Sequence, residues 1–329
     1  MSESIALNPI APETVRAYEL LSESCGILQL NDFGILEFTG EDRKAWLQGQ
    51  VTNDMRKVDV GTSIAFCICT PTGQIVADCE LWAFPNRFIV LCPLSVVPAV
   101  LSRVETMVIM EDVVCRDITA NFDHFTVQGV SATRELSQLT ELPTLDASPG
   151  SINGHEALCL RSRRTVYGGW DVLLPAGKGS PLEDFQHLTA EALDIARIEA
   201  GIPKFGVDMT EKTLPPELGP AFESRYISYS KGCYTGQEVL MRIHSRGHTN
   251  KTWVGLFTNE PVLRGATISH GGRPDAGLVT SVADSPRLGP IAAGFVRNEA
   301  ASTGDLVQIA VDEKKVEGEV QIMPLLRLG

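Results

Sequence analysis

Lys231-Gly232-Cys233-Tyr234-Thr235-Gly236-Gln237-Glu238 runs directly into the apolar trio Val239, Leu240 and Met241. It places one cysteine between glycines, with a lysine two residues before it and an acid five residues after. Two glycines within five residues point to a backbone that turns sharply or lets a partner approach closely. An ammonium beside a thiol lowers its pKa and enriches the thiolate, the nucleophilic and metal-binding form. Two readings follow: a surface turn that carries a cysteine, or a reactive thiol on a tight loop.

Composition sets the bounds. At 329 residues the chain exceeds what one hydrophobic core supports, so two or three domains are expected. A net charge of −13 argues against direct RNA binding, because phosphate contacts need an excess of Lys and Arg. No segment reaches the roughly 18 uninterrupted apolar residues of a membrane span. The start, Met1-Ser2-Glu3-Ser4, lacks the basic and apolar regions of a signal peptide, so a cytoplasmic protein is expected. Eight cysteines in a chain of this length do not make a disulfide framework. Cys25, Cys67, Cys69, Cys79, Cys92, Cys115 and Cys159 have apolar neighbours and read as small buried hydrophobes. No CxxC and no cysteine–histidine cluster at zinc spacing occurs, so no structural metal is expected.

Outward from the octapeptide, the chain reads as α+β followed by β. Helices are expected over 12–24, 43–50, 93–110, 131–139 and 181–200, the last closed by Gly201 and Pro203. Residues 63–92 read as a β-meander, in which Ile75, Ala77, Cys79 and Leu81 alternate with Val76, Asp78, Glu80 and Trp82. Strands are expected at 27–30, 34–38, 112–118, 123–128, 156–162 and 170–174, with 143–155 as a loop. The Pro- and Gly-rich passage at 203–220 is the expected hinge. Beyond Thr252, short apolar runs divided by Gly, Pro and Asp imply a small all-β barrel or sandwich.

Few other constellations carry chemistry. Lys231, Arg242, Arg246 and Lys251, with Glu238 as the single acid, give a local positive field in an acidic chain, or simply a solvated loop. His244 and His248 stand at i, i+4, but Gly247 speaks against the helix that would make them a metal pair. Asp78 and Glu80 lie at i, i+2 on the polar face of an expected strand, suited to acid–base chemistry or to wetting a sheet. Arg197 sits at a helix C-terminus, where the dipole favours a cation. No P-loop, dinucleotide fingerprint or nucleophile elbow occurs.

The octapeptide resembles the K-G-C-Y-x-G-Q-E signature of the YgfZ-type folate-binding proteins, relatives of the glycine cleavage T protein and counterparts of the mitochondrial Iba-type iron–sulfur assembly factor. Other segments resemble the family in the same order. They are Leu47-Gln48-Gly49-Gln50-Val51-Thr52-Asn53-Asp54, Thr72 to Asp78, Arg197-Ile198-Glu199-Ala200-Gly201-Ile202-Pro203, Pro216-Glu217, and Gly277-Leu278-Val279-Thr280-Ser281. The resemblance covers nearly the whole chain.

It implies an α+β, three-domain GcvT-like ring with a C-terminal all-β barrel. The expected division is 1–49 with 123–215 as a discontinuous first domain, 50–122 as an inserted second, and 216–329 as signature loop plus barrel. It implies a cavity for tetrahydrofolate or a derivative. Tyr167 and Asp171 stand where the T protein has a tyrosine and a glutamate at the pterin, and Arg197 where an arginine approaches the folate. Glu199, Tyr234, Gly236, Gln237 and Glu238 join that expected folate-binding set. Cys233, Lys231 and Asp78 are the expected catalytic residues, and no metal ligands are expected.

The T protein carries two aspartates in the hairpin where this chain has Ala77 and Asp78, and it lacks the cysteine signature. The resemblance therefore implies a tetrahydrofolate-dependent factor supporting assembly or repair of iron–sulfur enzymes, tRNA-modifying ones included, with those enzymes or cluster-assembly proteins as transient partners. The alternatives are a folate-dependent aminomethyltransferase or demethylase of the T-protein type, and a non-enzymatic folate-binding adaptor. Whether the chain is an enzyme stays open at this point.

Overall fold

The computed structural model describes residues 10–142, 144–152, 154–177, 182–247 and 249–328. In chain order it begins with α1 (Pro12–Glu23), β1 (Gly26–Gln29), β2 (Phe33–Thr39) and α2 (Arg43–Gln50). A meander follows in β3 (Ser63–Cys69), β4 (Ile75–Ala83) and β5 (Phe88–Pro93), then α3 (Val97–Met107) and β6 (Val114–Asp117). Next come β7 (Phe122–Gln128), α4 (Ala132–Leu136), β8 (Ala147–Ile152), β9 (His155–Ser162) and β10 (Gly169–Pro175). Three helices follow, α5 (Ala190–Glu199), α6 (Pro220–Tyr226) and α7 (Gln237–Arg246). The chain ends in β11 (Lys251–Thr258), β12 (Thr267–His270), β13 (Arg273–Ser285), β14 (Gly289–Arg297), β15 (Leu306–Val311) and β16 (Lys314–Gln321).

The strands form two five-stranded sheets, ordered β1-β7-β10-β9-β8 and β3-β4-β5-β2-β6, and a closed barrel, β11-β14-β13-β12-β15-β16. The two open sheets pack through Ile35, Trp82, Ile89, Leu91, Leu158, Leu160 and Leu173. The far face of the second sheet is covered by α2 and α3 through Trp46, Leu47 and Val100. Barrel and second sheet meet in another cluster, where Ala65, Cys67 and Cys69 of β3 lie with Phe222 and Tyr226 of α6, Tyr234, and Trp253 of the barrel. Among the described residues no helix is long and apolar enough to cross a membrane.

The meander, the barrel and the first two helices, α1 and α2, follow the expected pattern. Several expectations are corrected. β2 and α2 belong to the second sheet and its core, so the expected break after residue 49 falls inside one structural unit. The stretch expected as a loop at 143–155 contains β8, which pairs with β9 as a hairpin; residues 143 and 153 lie outside the described residues. The helix expected over 181–200 is α5, which starts at Ala190, and residue 181 is outside the described residues. Leu188 N donates to Ile27 O and Ile27 N to Gln186 O, so residues 186–188 are drawn out beside β1. Thr189 Oγ1 then caps α5 by accepting from Ala192 N at 3.0 Å.

Candidate functional site

Gly236 decides how the octapeptide lies. Its φ of +87° is left-handed, and a Cβ there would stand 2.6 Å from Thr70 O and 3.2 Å from Cys69 Cβ. Only glycine lets the loop press so closely onto the β3–β4 hairpin. Gly236 also caps α7, so the segment expected as a basic loop is largely a helix. Gly247, expected to break a helix there, ends it instead in a left-handed C-cap with φ +93°. His248 lies outside the described residues.

Within the loop, Cys233 is exposed, the only exposed cysteine among the described residues. Gln237 is half-buried and Glu238 exposed on the first turn of α7. Tyr234 is buried, and its hydroxyl has no hydrogen-bond partner among the described residues. Lys231 departs from expectation. It is 5% exposed, and its ammonium donates to Gln48 O at 2.7 Å, Val51 O at 2.5 Å and Asn53 O at 2.8 Å. All three of its donors are used, so Lys231 makes no hydrogen bond to the Cys233 thiol.

Asp78 lies on β4 opposite Cys67 of β3. The face it shares with Glu80, expected to be wet or catalytic, is largely covered by α6. Asp78 Oδ1 is sealed from solvent and has no hydrogen-bond partner among the described residues. Burial pushes this carboxyl up to about 6, against weaker lowering by a backbone hydrogen bond and Arg225. Glu80 pairs with Arg225 of α6. Two residues from Asp78 along the strand opens a polar cavity of about 210 Å³, walled by Ser63, Glu80, Trp82, Asp146, Arg161, Arg163 and Arg225 among others. Arg161 lies 3.5 Å from Asp146 and over the Trp170 ring, whereas exposed Arg163 makes no ion pair among the described residues. Among the described residues, the cavity thus pairs two of its three guanidinium groups and leaves that of Arg163 without a carboxylate.

The remaining expected site residues stand apart from this cavity. Asp171 is completely buried within the first sheet, gripped on both oxygens by Arg164 and lying 2.9 Å from His124 Nε2. Burial pushes its carboxyl up, but Arg164 and His124 outweigh that and hold it well below the usual range. Arg197 donates to Asp194, Asp208, Ile202 O and Ser281 Oγ, which fills its guanidinium at the junction of α5 and the barrel. Glu199 accepts from Tyr18 and from Ser285. Half-buried Tyr167 is close by, its hydroxyl 3.2 Å from Arg287 Nη1.

Two sets of residues escaped the sequence reading. Arg161, Arg163 and Arg225 wall the cavity, yet each is an ordinary surface arginine in sequence, and no spacing unites them. The segment from Gln48 to Asp54 was legible only as a resemblance. In the fold it is the junction that receives Lys231. Thr52 Oγ1 donates to Tyr226 O and accepts from Cys67 N, and Asn53 Nδ2 donates to Ala65 O and Arg225 O. Among the described residues no group of three or more His, Cys, Asp or Glu side chains is arranged to hold a metal.

Residues 8–223 match the model of the GCVT N-terminal domain, and residues 251–326 that of the glycine cleavage T-protein C-terminal barrel domain. The chain is 24% identical over 330 residues to an aminomethyltransferase of Desulfitobacterium hafniense, covering 93% of this chain and 88% of that protein. It is 26% identical over 330 residues to an aminomethyltransferase of Alkaliphilus oremlandii, covering 92% and 86%. The crystal structure of glycine cleavage system aminomethyltransferase T from Bartonella henselae shares the fold with a TM-score of 0.82 at 18% identity, over 95% of this chain and 89% of that one.

Proposed function

Since the chain belongs to the glycine cleavage T-protein family, with both its N-terminal domain and its C-terminal barrel, we propose that it binds a reduced folate and transfers a one-carbon unit to or from it, with Asp78 moving the proton. The observation that carries this reading is the sealed, unpartnered Asp78 Oδ1 beside a cationic cavity. A carboxyl that titrates at about 6 holds and releases a proton near neutral pH, as acid–base catalysis requires.

The residues present fit a folate. Arg161 and Arg163 suit its acidic tail, and the carboxylate of Glu80 suits the N–H donors of a pterin. At about 210 Å³ the cavity is below the roughly 300–1,000 Å³ that encloses a drug-sized ligand, so part of the molecule stays outside it. When bound, the folate supplies the nitrogens that carry the one-carbon unit. The chain supplies the rest. The Glu80–Arg225 pair lines the cavity two residues from Asp78, Oδ1 holds the proton, and the stacked Phe222 and Tyr226 rings pack over this face. Aminomethyl donors, as the relatives' names indicate, are the first substrates to try.

Calorimetry with tetrahydrofolate and single-turnover assays with an aminomethyl donor test this on wild type and Asp78→Asn. Asp78→Asn is expected to bind folate within a few-fold of wild type and to lose about 10²–10⁴ in rate. Equal rates in the two proteins, or no folate binding by wild type, would overturn the proposal.

A second reading, support of iron–sulfur enzymes through the signature loop, is favoured by one observation: Cys233 is an exposed thiol on a tightly docked loop. It predicts that Cys233→Ala leaves folate binding unchanged and lowers cluster-enzyme activity in cells whose own copy is deleted. Full complementation by Cys233→Ala would remove this reading and leave the first intact.

A further inference from the structure

Lys231 occupies an arrangement that its place in the octapeptide does not announce. The carbonyls of Gln48, Val51 and Asn53 converge on its ammonium at 2.5–2.8 Å, and the Tyr234 ring lies on another side with its centroid 4.8 Å away. Gln48 belongs to the last turn of α2, where carbonyls lack helical partners and carry the negative end of the dipole. Three converging main-chain oxygens and an aromatic face are what a small desolvated cation requires. The charged groups nearest this cage do not compete for it. Asp54 is held by Arg56 and Gln48, and Arg56 points its guanidinium at Asp54. Although burial lowers the Lys231 ammonium to about 8, it is charged at pH 7.

We propose that the 48–54 turn and Tyr234 form a monovalent-cation site whose resident cation is the Lys231 ammonium, and that Lys231 is thereby a positioning residue that latches the cysteine loop. The loop covers specific groups. Gly236 lies against Cys69, and Tyr234 packs in one cluster with Cys67 and Cys69. With the latch closed, Cys233 is the thiol presented to solvent and Cys69 is sealed, its thiol pushed up to about 12 by burial. The inference is independent of the folate reading, because it concerns only what holds the loop in place.

Lys231→Ala removes three methylenes and the ammonium, which is the size of propylammonium. The variant is compared with wild type in sodium, tetramethylammonium and propylammonium chlorides at equal ionic strength, by thermal unfolding and by mass-spectrometric mapping of iodoacetamide labelling. In sodium, Lys231→Ala is expected to melt several degrees below wild type and to label at Cys69, while Cys25 and Cys159 in the first-sheet core stay protected. Propylammonium is expected to restore most of the melting temperature and to protect Cys69 again. Tetramethylammonium, equally charged but without N–H donors, is expected to do neither, and wild type is expected to be indifferent to the choice.

Generalised labelling of all buried cysteines would mean simple destabilisation, and rescue no better with propylammonium than with tetramethylammonium would mean no cation site. Either result overturns the proposal. Should Lys231→Ala not fold in sodium, recovery of folded protein by refolding in propylammonium supports the cage. Failure to fold in both salts, with Lys231→Met still keeping Cys69 sealed, refutes it.

Discussion

The energetic cost of Asp78 depends on pH in a direction opposite to that of most aspartates. Its folded-state pKa of about 6 lies above the unfolded value near 4. Between those values the folded chain holds a proton that the unfolded chain has released, so stability falls as pH rises through that window. Above about pH 6 the full penalty applies, of order 2–3 kcal/mol for two units of displacement. Asp78→Asn is therefore expected to raise the unfolding free energy by about that amount at pH 7, with the gain shrinking toward zero near pH 4, as read from urea melts at both pH values. A gain that grew on acidification would contradict this burial. That a stabilising change should also abolish transfer is the usual mark of a residue kept for chemistry. The alternation of Ile75, Ala77, Cys79 and Leu81 shows from sequence that Asp78 sits on the opposite face of a strand. That the face is covered does not show, because the cover is Tyr226 and Arg225, nearly 150 residues later. Lys231 is the complementary case. Sequence places it beside a thiol, while its partners are main-chain carbonyls, which leave no signature in side-chain identity.

At the scale of elements, glycine carries most of the misreading and most of the correction. Gly247 reads as a helix breaker when considered singly, whereas a left-handed C-cap both permits and ends a helix. Gly236 was legible as a turn, but its role depends on the hairpin beneath it. Gly236→Ala introduces a Cβ 2.6 Å from Thr70 O in a backbone conformation that L-residues rarely adopt. Strain at such a position costs about 1–3 kcal/mol, and the contact with main-chain oxygen adds to it. The variant is expected to lose at least that much stability in urea melts and, since the loop must lift, to label at Cys69 more readily than wild type. Gly232→Ala is the control, because a Cβ there meets nothing within 4 Å. Equal loss in the two variants would show that the hairpin contact is not what fixes the loop. The over-long helix expected before Gly201 has a similar origin. Phe185 and Leu188 carry a helical stripe, but the edge of β1 recruits the backbone of Gln186 and Leu188, a tertiary pairing that periodicity does not contain.

The whole molecule was legible in outline: helices and strands, a β-meander among them, ahead of an all-β barrel or sandwich, whereas the grouping of the strands into two five-stranded sheets and the sixth barrel strand, β16, were not. How the parts are joined was not, and Arg197 shows why. As the opening residue of R-x-E-A-G it was expected to approach a folate; in the fold it bonds across the junction of α5, the 203–209 segment and the barrel. Asp208, absent from every sequence expectation, completes that junction. Its Oδ2 accepts from Arg197 Nη1 at 2.5 Å and from Lys204 N at 3.0 Å, and its Oδ1 from Thr280 and Ser281 at 2.5 and 2.7 Å. Trp253 Nε1 donates to the same Thr280 hydroxyl, so a barrel tryptophan adjoins the network. Removing one member of a buried, fully bonded ion pair strands the other charge and costs about 3–5 kcal/mol, whereas removing both charges leaves none stranded. Arg197→Met and Asp208→Asn are each expected to destabilise by about that amount in urea melts followed through tryptophan emission. The double variant should lose clearly less than the sum, with a coupling of about 1–3 kcal/mol. If the two losses simply add, the charges do not depend on one another across this junction, and the attachment of barrel to body must be sought instead in the apolar contacts of Ile198, Trp253 and Met323.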